Sequence, residues 1–571
     1  MISIHAPTIR VCVALALASW LSPLGGCAAA ASRGAAEPQA ELAPRTISLI
    51  ATNDFHGNLE RAAVLGGYLS NLRQARARDG AVLLLDAGDM FQGTIASNLS
   101  EGAAVVRAYN RLGYHAAAVG NHEFDYGPIG PAVTATQGDD PRGALLARAA
   151  QAEFPILAAN LRRRADGEPI RWTGIVPRTI VSLAGIRIGL VGISSIGTLE
   201  ATLASNVADL QMASLDETVL AQASLLRAQG AQLVIVLAHV GGGCTRFEAP
   251  ESLDSCELDS ELFELARALP AGSVDAIVGG HTHQAIAHRV AGIPVIESFA
   301  HGRAFGRIDL RVDPETGRLL DAELFAPQEL CAEPGRSLER CEPGPYEGRE
   351  VEIDAGVLEV IRPDLERAEA LGEETLGVES SAPIATDYPG ESPLGNLFAD
   401  LIGELRPGDE IVLLNAGGVR ADLPAGPLRY GDLYRAFPFD NRVAEVHLSG
   451  AELREALRQN LIHGGGVFLV SGLRVEARCV AAGLEVRMRR PDGREIRDEE
   501  RLRVITSDYI ATLASRPFGA AHDRPDDLRI EDGLPIRELL AAHLRVRGGR
   551  LDPPPLGRIA FEGERPIRCL P

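Results

Sequence analysis

The sequence predicts an α/β protein with more than one domain. The chain has 571 residues, which exceeds a single core at roughly 150 residues per domain. Between residue 46 and about residue 310, short apolar runs of strand length recur, and several end in polar clusters. Beyond about residue 310 this pattern stops and a different one begins. We therefore expect a first domain built on strands and a second domain with another role.

Composition and charge restrict the classes of partner. The chain is 46% hydrophobic and 23% charged, which is typical of a globular protein. Its formal net charge of -21 repels phosphate backbones, so a polymeric nucleic acid is not expected as a partner. Every basic residue other than histidine is arginine. Mechanisms that need a Schiff-base lysine or a P-loop lysine are thereby excluded.

The N-terminus reads as an export signal. Residues 11–24 form an apolar run that is too short to span a bilayer comfortably. The run ends in Leu24-Gly25-Gly26-Cys27, which resembles the lipobox of bacterial lipoproteins. We expect residues 1–27 to be a lipoprotein signal peptide, residues 28–45 a flexible tether, and Cys27 the attachment point of a lipid anchor. The expected location is periplasmic or cell-surface, on the outer membrane, with secretion as the alternative.

The cysteines agree with an oxidising compartment. Without Cys12 and Cys27, the even set that remains is Cys244, Cys256, Cys331, Cys341, Cys479 and Cys569. The close pairs Cys244/Cys256 and Cys331/Cys341 are the first candidates for disulfides, but sequence alone leaves the connectivity open. No Cys-x-x-Cys spacing is present, which argues against a zinc ribbon.

Apolar runs in the first domain are followed by residue types that bind metals. The runs and clusters are 47–51 before Asn53-Asp54-Phe55-His56-Gly57, 81–85 before Asp86-Ala87-Gly88-Asp89, 116–119 before Gly120-Asn121-His122-Glu123-Phe124-Asp125, 233–238 before His239, and 276–278 before Gly279-Gly280-His281-Thr282-His283. One such cluster alone is typical of a turn. Since α/β folds place their sites at the carboxyl ends of strands, the ordered series predicts a metal site. Its oxygen and imidazole donors suit Mn, Zn, Fe or Co.

The order and composition of these clusters resemble the calcineurin-like metallophosphoesterase family. The resemblance implies a four-layer αββα sandwich, two divalent metal ions and phosphoester hydrolysis by a metal-activated hydroxide. By this resemblance the ligands of the first metal are Asp54, His56 and His283, those of the second are Asn121, His239 and His281, and Asp89 bridges both. The metals then supply the positive field that an acidic protein needs to bind an anionic substrate.

His122 and Asp125 form a separate pair. Three residues apart, they are expected to meet on a helical turn, where the carboxylate fixes the tautomer of the imidazole and raises its basicity. The family resemblance implies that His122 acts on the phosphoryl oxygen or the leaving group. A zinc-protease motif is excluded because Tyr126 stands where the second histidine is required. His301 follows a strand nearby and is a further candidate to approach the site.

The second half has its own landmarks. Residues 326–350 are rich in Pro, Gly and Glu, and residues 351–371 have helical spacing, so 326–372 is predicted to be a linker with a connecting helix between domains at 46–325 and 373–571. The later landmarks are Glu391-Ser392-Pro393-Leu394-Gly395-Asn396-Leu397, Asn415-Ala416-Gly417-Gly418-Val419-Arg420, Phe437-Pro438-Phe439-Asp440-Asn441 and Gly464-Gly465-Gly466-Val467-Phe468. They resemble the C-terminal domain of the bacterial 5′-nucleotidase and UDP-sugar hydrolase family, which implies a second α/β domain that binds the substrate.

That resemblance also implies roles for three residues. Arg420 is expected to contact phosphate or ribose, Asn415 to hydrogen-bond the nucleoside, and Phe468 to stack on the base. Two features depart from the family pattern. The family's Gly-Gly-Asp-Gly-aromatic segment is replaced by residues 506–519, where Tyr509 and Phe518 are the available rings, and a frequent arginine is absent near Gly390.

The sequence thus favours a dimetal phosphohydrolase acting on nucleoside 5′-monophosphates, with UDP-sugars or cyclic nucleotides as further substrates. The alternative is a metallophosphoesterase acting on a non-nucleotide phosphate ester. A third hypothesis is a non-enzymatic surface lipoprotein that binds a ligand with the same fold. If the second-domain residues lie far from the metals, a hinge near residues 350–372 must close over the substrate.

Overall fold

The computed structural model describes residues 43–569 apart from 131–134, 136–137, 332–340, 409–410, 464–465, 482, 514–517, 519–523, 532 and 562. The predicted signal peptide, the lipobox with Cys27 and the tether up to residue 42 lie outside the described residues. From residue 43 onward the chain forms one compact unit.

The first half of this unit is built mainly from strands. The strands are β1 (Arg45–Thr52), β2 (Gly80–Asp86), β3 (Ala116–Ala118), β4 (Ile156–Leu157), β5 (Leu161–Arg163), β6 (Ile175–Val176), β7 (Arg178–Leu183), β8 (Ile186–Ser194), β9 (Leu210–Met212), β10 (Leu233–His239), β11 (Ala276–Val278), β12 (Ala285–Val290), β13 (Ile293–Ser298), β14 (Ala304–Val312) and β15 (Leu319–Glu329). The helices are α1 (Leu59–Arg76), α2 (Ile95–Asn98), α3 (Ala103–Leu112), α4 (Gly143–Gln151), α5 (Ala204–Val207), α6 (Leu215–Ala228), α7 (Glu261–Ala268) and α8 (Ala355–Gly372).

Two sheets pack face to face in this half. One has the order β15-β14-β1-β2-β3-β4-β6 and the other β12-β13-β11-β10-β8-β7. Apolar side chains such as Leu49, Leu85, Leu190 and Ile235 fill the space between them. Helices α1 and α3 cover the outer face of the first sheet, and α6 and α7 cover that of the second. The expected four-layer αββα sandwich is confirmed.

The predicted strand runs coincide with β1, β2, β3, β10 and β11. Within the first sheet β1, β2 and β3 are parallel neighbours, and within the second β8, β10 and β11 are parallel neighbours. Parallel strands buried on both faces read as continuous apolar runs, which is why sequence reveals them. Their carboxyl ends meet at one edge, so the polar clusters that follow them converge.

A long helix joins the halves. Helix α8 begins after Asp354, whose carboxylate accepts hydrogen bonds from the N–H groups of Gly356 and Val357, and it contains Pro363. It packs against α1 and α3 of the first half and against α10 (Tyr430–Ala436) of the second. The helix predicted over residues 351–371 is therefore present, and it contacts both halves of the chain.

The second half is also mixed α/β. Its strands are β16 (Thr375–Ser380), β17 (Ile411–Asn415), β18 (Gly426–Arg429), β19 (Val443–Ser449), β20 (Phe468–Ser471), β21 (Arg474–Val480), β22 (Gly483–Arg489), β23 (Arg501–Ser507), β24 (Leu528–Ile530), β25 (Gly549–Leu551) and β26 (Ile559–Phe561). Its other helices are α9 (Pro393–Leu405), α11 (Gly450–Ile462), α12 (Asp508–Thr512) and α13 (Ile536–Arg547). The main sheet has the order β20-β17-β23-β19-β24. Asn415 at the end of β17 and Phe468 at the start of β20 are therefore paired neighbours.

Disulfides tie down loops in both halves. Cys244–Cys256 and Cys331–Cys341 confirm the two predicted pairs. Cys479–Cys569 joins β21 to the C-terminal segment across 90 residues. Among the described residues, no helix is both long and apolar enough to cross a membrane.

Candidate active site

The polar clusters meet where the carboxyl ends of the two sheets face each other. Asp54, His56 and His283 offer ligand atoms within 4.8 Å of one another, and so do Asp89, His239 and His281. Asn121 joins the second group, because its Oδ1 lies 3.1 Å from Nε2 of His239. The predicted ligands therefore lie together, in the groupings that the sequence resemblance implied.

In the first group, two imidazoles face each other. Nε2 of His56 lies 3.0 Å from Nε2 of His283, which in turn lies 3.5 Å from Oδ1 of Asp54. The other ring nitrogen of His56, Nδ1, donates to the carbonyl of Gln92 at 2.7 Å. This bond places the proton on Nδ1, so the lone pair of Nε2 points toward the partner imidazole and the carboxylate.

The second group repeats this arrangement. Nε2 of His239 lies 3.2 Å from Oδ2 of Asp89 and 3.2 Å from Nδ1 of His281. Nδ1 of His239 donates to the carbonyl of Ala87 at 3.0 Å, which leaves Nε2 as the free ligand atom. Asp89 also lies within 4.8 Å of His56. Its carboxylate thus stands between the two groups, as expected of a bridging ligand.

His122 and Asp125 pair as predicted. Nδ1 of His122 lies 2.5 Å from Oδ2 of Asp125, and the pair flanks the 3₁₀ turn His122–Phe124. The free Nε2 lies 4.0 Å from Oδ2 of Asp89. Burial lowers the pKa of His122, but the carboxylates of Asp125 and Asp89 outweigh it and raise the pKa from 6.5 to about 9. The two carboxylates therefore favour the protonated form of His122.

A cavity of about 1380 Å³ lies between these residues and the second domain. Its wall includes Asp89, Asn121, His122, Asp125, His281 and His283 from the first domain. Asn415, Arg420 and Phe468, which sequence assigned to substrate, line the same cavity. The two sets of predicted residues therefore share one space, and no hinge motion is needed to bring them together.

Two family models match the chain. The calcineurin-like phosphoesterase model matches residues 47–285, and the model of the 5′-nucleotidase C-terminal domain matches residues 370–518. The chain belongs to the 5′-nucleotidase family of calcineurin-like phosphoesterases. Members of this family are metal-dependent phosphoester hydrolases.

Relatives resemble the chain over most of its length. Endonuclease YhcR of Bacillus subtilis is 24% identical over 512 residues, which cover 86% of this chain and 39% of that protein. The cell wall protein Lmo0130 of Listeria monocytogenes is 25% identical over 533 residues, which cover 81% of this chain and 63% of that protein. The chain thus spans less than two thirds of the length of these two relatives. A 5′-nucleotidase of Vibrio cholerae is 25% identical over 484 residues, covering 77% of this chain and 79% of that protein.

Solved structures share the architecture. A 5′-nucleotidase precursor from Thermus thermophilus superposes with a TM-score of 0.70 at 25% sequence identity. The match covers 91% of this chain and 100% of that chain. The two-domain fold of this chain is therefore similar to that of a solved 5′-nucleotidase precursor over almost its whole described length.

The donor set fits the divalent cations that this family uses. Burial lowers the pKa of His281 to about 4 and that of His283 to about 3, so both imidazoles are neutral with a lone pair available. Burial raises the pKa of Asp54 to about 6, because its carboxylate lacks solvent. Converging lone pairs and buried carboxylates are costly unless a cation lies between them. Mixed oxygen and imidazole donors are the ligands of Mn, Zn, Fe and Co.

The backbone at these ligands is strained. Asp54 and His56 have φ of 48°, Asp89 58°, His281 81° and His283 59°, all in the left-handed region. Residues other than glycine rarely adopt this backbone conformation, and each instance costs on the order of 1 kcal/mol or more. Such strain persists only where the surrounding structure enforces it, as at the ligand loops of this site.

His301 does approach the site. Its ring centroid lies 5.0 Å from that of His56 and 5.2 Å from that of His283. Its backbone N–H donates to the carbonyl of Asp54 at 2.7 Å, and its φ is 59°. It therefore belongs to the shell around the first ligand group, although it is in none of the described clusters whose ligand atoms all lie within 4.8 Å.

Sequence reasoning missed several residues. Phe439 lines the cavity, with its ring 5.8 Å from that of His122 and 5.7 Å from Cζ of Arg420. The only sequence signal for it was its place in the Phe-Pro-Phe landmark. Glu123 is buried and accepts hydrogen bonds from the N–H groups of Asp89, Met90 and Gly120 at 2.7–2.9 Å. It therefore fixes the loop that presents Asp89.

Proposed function

We propose that the protein is a dimetal phosphohydrolase that releases phosphate from nucleoside 5′-monophosphates. The observation that carries the proposal is that the metal-ligand groups, the His122–Asp125 pair and the second-domain residues line one cavity. Residues 46–325 then supply the chemistry, residues 326–372 connect, and residues 373–571 choose the substrate. In this proposal UDP-sugars and cyclic nucleotides are additional substrates.

The ligand assignment follows the two groups. Asp54, His56 and His283 would hold one cation; Asn121, His239 and His281 would hold the other; Asp89 would bridge them. Two divalent cations held there would supply Lewis-acid activation of water and compensation of the phosphoryl charge. The chain itself contributes fixed ligand orientation, since carbonyls of Gln92 and Ala87 hold the ring nitrogens that face away.

His122 is proposed to donate the proton to the leaving oxygen. Its Nδ1–H is engaged by Asp125, so Nε2 is the nitrogen that faces the cavity. The carboxylates of Asp125 and Asp89 raise its pKa to about 9, which favours the protonated imidazole that a proton donor needs. A cation at Asp89 would weaken the attraction that raises this pKa and bring it closer to neutrality.

The second domain is proposed to hold the nucleotide. The guanidinium of Arg420 offers paired N–H donors to phosphate or ribose, and Asn415 at the end of β17 offers an amide to the nucleoside. Phe439 and Phe468 provide aromatic faces, and Tyr388, Tyr509 and Phe518 lie in the same wall. The rings other than Phe468 are the proposed replacement for the family's missing second stacking segment.

A second candidate function keeps the chemistry and changes the ester. Phe468 is only 7% exposed, so little of its ring is available for stacking. A cavity of about 1380 Å³ also exceeds what a nucleoside monophosphate fills, and so admits larger or non-nucleotide esters. The third hypothesis, a non-enzymatic binding lipoprotein, predicts ligand binding without turnover.

A substrate panel separates these functions. Metal-loaded protein is assayed for phosphate release from AMP, UMP, UDP-glucose, a cyclic nucleotide and glycerol phosphate. The nucleotidase proposal predicts a kcat/KM at least about tenfold higher for the nucleoside monophosphates than for glycerol phosphate. The reverse preference would establish the second function, and binding without release of phosphate from any ester would establish the third. Asp89→Asn, which should not turn over, is the control.

Export to the periplasm or cell surface is part of the proposal. The disulfides Cys244–Cys256, Cys331–Cys341 and Cys479–Cys569 support an oxidising location. The lipid anchor at Cys27 is proposed from the lipobox-like sequence. Mass analysis of the mature N-terminus would show either a lipid-modified Cys27 or an unmodified start that indicates secretion.

A further inference from the structure

The segment Glu200-Ala201-Thr202 borders the cavity and is fixed to the metal-bearing sheet. It follows strand β8 and begins with the last residue of the 3₁₀ turn Ile196–Glu200. Strand β8 is the parallel neighbour of β10, and the N–H of Ser195 donates to the carbonyl of His239 at 2.9 Å. The segment therefore leaves the same sheet edge that presents the metal ligands.

Ala201 orients the amide of Asn121. The Nδ2 group of Asn121 donates to the carbonyl of Ala201 at 3.3 Å. Because a carbonyl only accepts hydrogen bonds, this contact holds the nitrogen of the amide on the side of the segment. The Oδ1 atom is thereby turned toward His239, which it approaches to 3.1 Å, and the oxygen is the atom that ligates a cation.

Thr202 orients the carboxylate of Asp125. Its hydroxyl donates a hydrogen bond to Oδ1 at 2.9 Å, while Oδ2 accepts a hydrogen bond from the Nδ1–H group of His122. Thr202 is only 2% exposed, so water does not easily replace this bond. With both oxygens held, the carboxylate has a fixed plane, and the imidazole is directed with Nε2 toward the cavity.

Glu200 receives a contact from the second domain. The hydroxyl of Tyr509, which lies in helix α12 and lines the cavity, donates to the carbonyl of Glu200 at 3.3 Å. Glu200 thus contacts the second domain, Ala201 contacts a proposed metal ligand, and Thr202 contacts the carboxylate partner of the proposed proton donor. The contacts join residues that are 80, 77 and 309 positions apart in sequence.

We propose that residues 200–202 are a positioning segment, through which the seating of Tyr509 on the first domain fixes Asn121 and Asp125 for the reaction. The proposal rests on the phosphohydrolase function proposed above, but not on its nucleotide specificity. Thr202 is a positioning residue because it acts on substrate only through Asp125 and His122. The segment makes the catalytic geometry depend on the contact between the domains.

The first test removes one hydroxyl. Thr202→Val keeps the shape of the side chain and is expected to lower kcat about 10- to 100-fold while KM changes less than about threefold. Thr202→Ser restores the hydroxyl and is expected to recover kcat to within about threefold of the parent. The assay uses p-nitrophenyl phosphate, so that failure on nucleotides alone does not affect it.

The matched control is Thr198→Val on the same turn. Within the described part of the chain, the buried hydroxyl of Thr198 has no hydrogen-bond partner, so the same chemical change there should leave kcat within about twofold. A parental kcat in Thr202→Val would overturn the proposal. So would an equal loss in Thr202→Ser, which would mean that packing alone matters.

The second test measures the coupling without activity. Tyr509→Phe removes only the hydroxyl that reaches Glu200, and hydrogen exchange is followed in peptides covering residues 196–206 and 119–126. The proposal expects exchange to speed up severalfold in both peptides. Unchanged exchange in the 119–126 peptide would contradict coupling to Asn121 and Asp125. Because this readout needs no turnover, it distinguishes failure of the segment from failure of the proposed function.

The kinetic counterpart is a double variant. If Tyr509 and Thr202 act through one segment, Tyr509→Phe combined with Thr202→Val should lose less kcat than the product of the two single losses. Losses that multiply would show that the two contacts are independent, and the coupling would be rejected.

Discussion

His122 lies at the proposed metal site but is proposed to donate a proton and not to bind a metal. It lies beside the ligand groups, yet its Nδ1 is committed to Asp125 at 2.5 Å. We expect His122→Ala to lower kcat about 10²- to 10⁴-fold, because the proton donor is lost. The metal content should stay that of the parent, since the ligands are untouched. Steady-state kinetics and metal analysis of the same sample check this.

The contrary outcome for His122 is equally specific. Loss of one cation together with activity would mean that His122 is a ligand, which its position within 4.8 Å of His56 and Asp89 permits. Asp125→Asn is the control. It removes the charge of the partner while keeping its shape, and should reduce kcat with no change in metal content.

The buried carboxyl group of Asp86 is expected to make the unfolding free energy depend on pH. Burial raises its pKa to about 7, although Thr52, Tyr109 and the N–H of Gly88 donate to it. A carboxyl group whose pKa is raised on folding contributes stability below its unfolded pKa near 3.8 and loses it as pH rises through about 7. In chelated protein, the unfolding free energy of the parent relative to Asp86→Asn should therefore fall by up to about 4 kcal/mol between about pH 4 and pH 8.

Urea unfolding at several pH values measures this difference. The same measurement on an exposed carboxyl substitution, Asp254→Asn, is the control. The prediction is wrong if the unfolding free energy of the parent relative to Asp86→Asn stays constant or rises with pH. The carboxyl group would then be ionised in the folded state despite its burial.

Sequence predicts a functional residue when a local pattern marks its position in the fold. Asp54, His239 and the other proposed ligands could be predicted because each follows an apolar run with glycine or further donors beside it. Thr202 and Phe439 were not found, because their importance depends on partners far away in sequence, Asp125 for the threonine and His122 for the ring. Nothing local distinguishes such a threonine from one on any surface turn.

At the scale of elements, the strand ends determine how closely the ligand loops pack. Gly120 follows β3, and a Cβ built there would lie 2.2 Å from Oδ1 of Asp89 and 2.6 Å from its backbone nitrogen. Gly120→Ala must therefore displace Asp89, the proposed bridging ligand. We expect cation affinity to fall by at least about tenfold and kcat to fall with it, as measured by metal titration and steady-state kinetics.

Gly344→Ala is the matched control, because a Cβ there meets no described atom within 4 Å. It should bind cations as the parent does. Parental metal affinity in Gly120→Ala would show that the loop has more room than the structure gives it.

Elements differ in how far sequence predicts them. Parallel strands β1, β2, β10 and β11 are buried on both faces and read as apolar runs. The connecting helix was found from its spacing, with its start refined to Ala355 by the cap at Asp354. Short strands such as β4 and β6, and the order of strands in each sheet, depend on long-range packing that local pattern does not encode.

At the scale of the molecule, the cavity between the domains combines chemistry with recognition. Phe439→Ala should weaken binding of a nucleoside monophosphate by about 1–3 kcal/mol if its ring stacks on the base. Binding of glycerol phosphate, which has no ring, should be unaffected by the loss of stacking. The ratio of the KM values for the two substrates measures this and cancels any effect through His122.

Phe468→Ala is the comparison variant for this prediction. Since Phe468 is nearly buried, its loss should affect thermal stability more than the KM ratio. If only Phe468→Ala changes the ratio, then stacking belongs to that ring as the sequence resemblance implied. If neither variant changes it, the enzyme does not hold its substrate through a base.

The architecture of the molecule was predictable because independent motifs in both halves pointed to one family. The contact between the halves was not, since Tyr509 and Glu200 meet only through the packing of the whole chain. Sequence therefore assigned chemistry to one domain and recognition to the other, while their joint cavity required the structure.

We propose that two cations at one site carry out phosphate release. The most direct test of this proposal measures divalent metal content and phosphate release from AMP in one sample, before chelation, after it and after metal is restored. We expect about two equivalents of metal per chain, loss of activity on chelation and recovery on restoration, with Asp89→Asn inactive throughout. Full activity in protein stripped of metal, or in Asp89→Asn, would contradict the proposal.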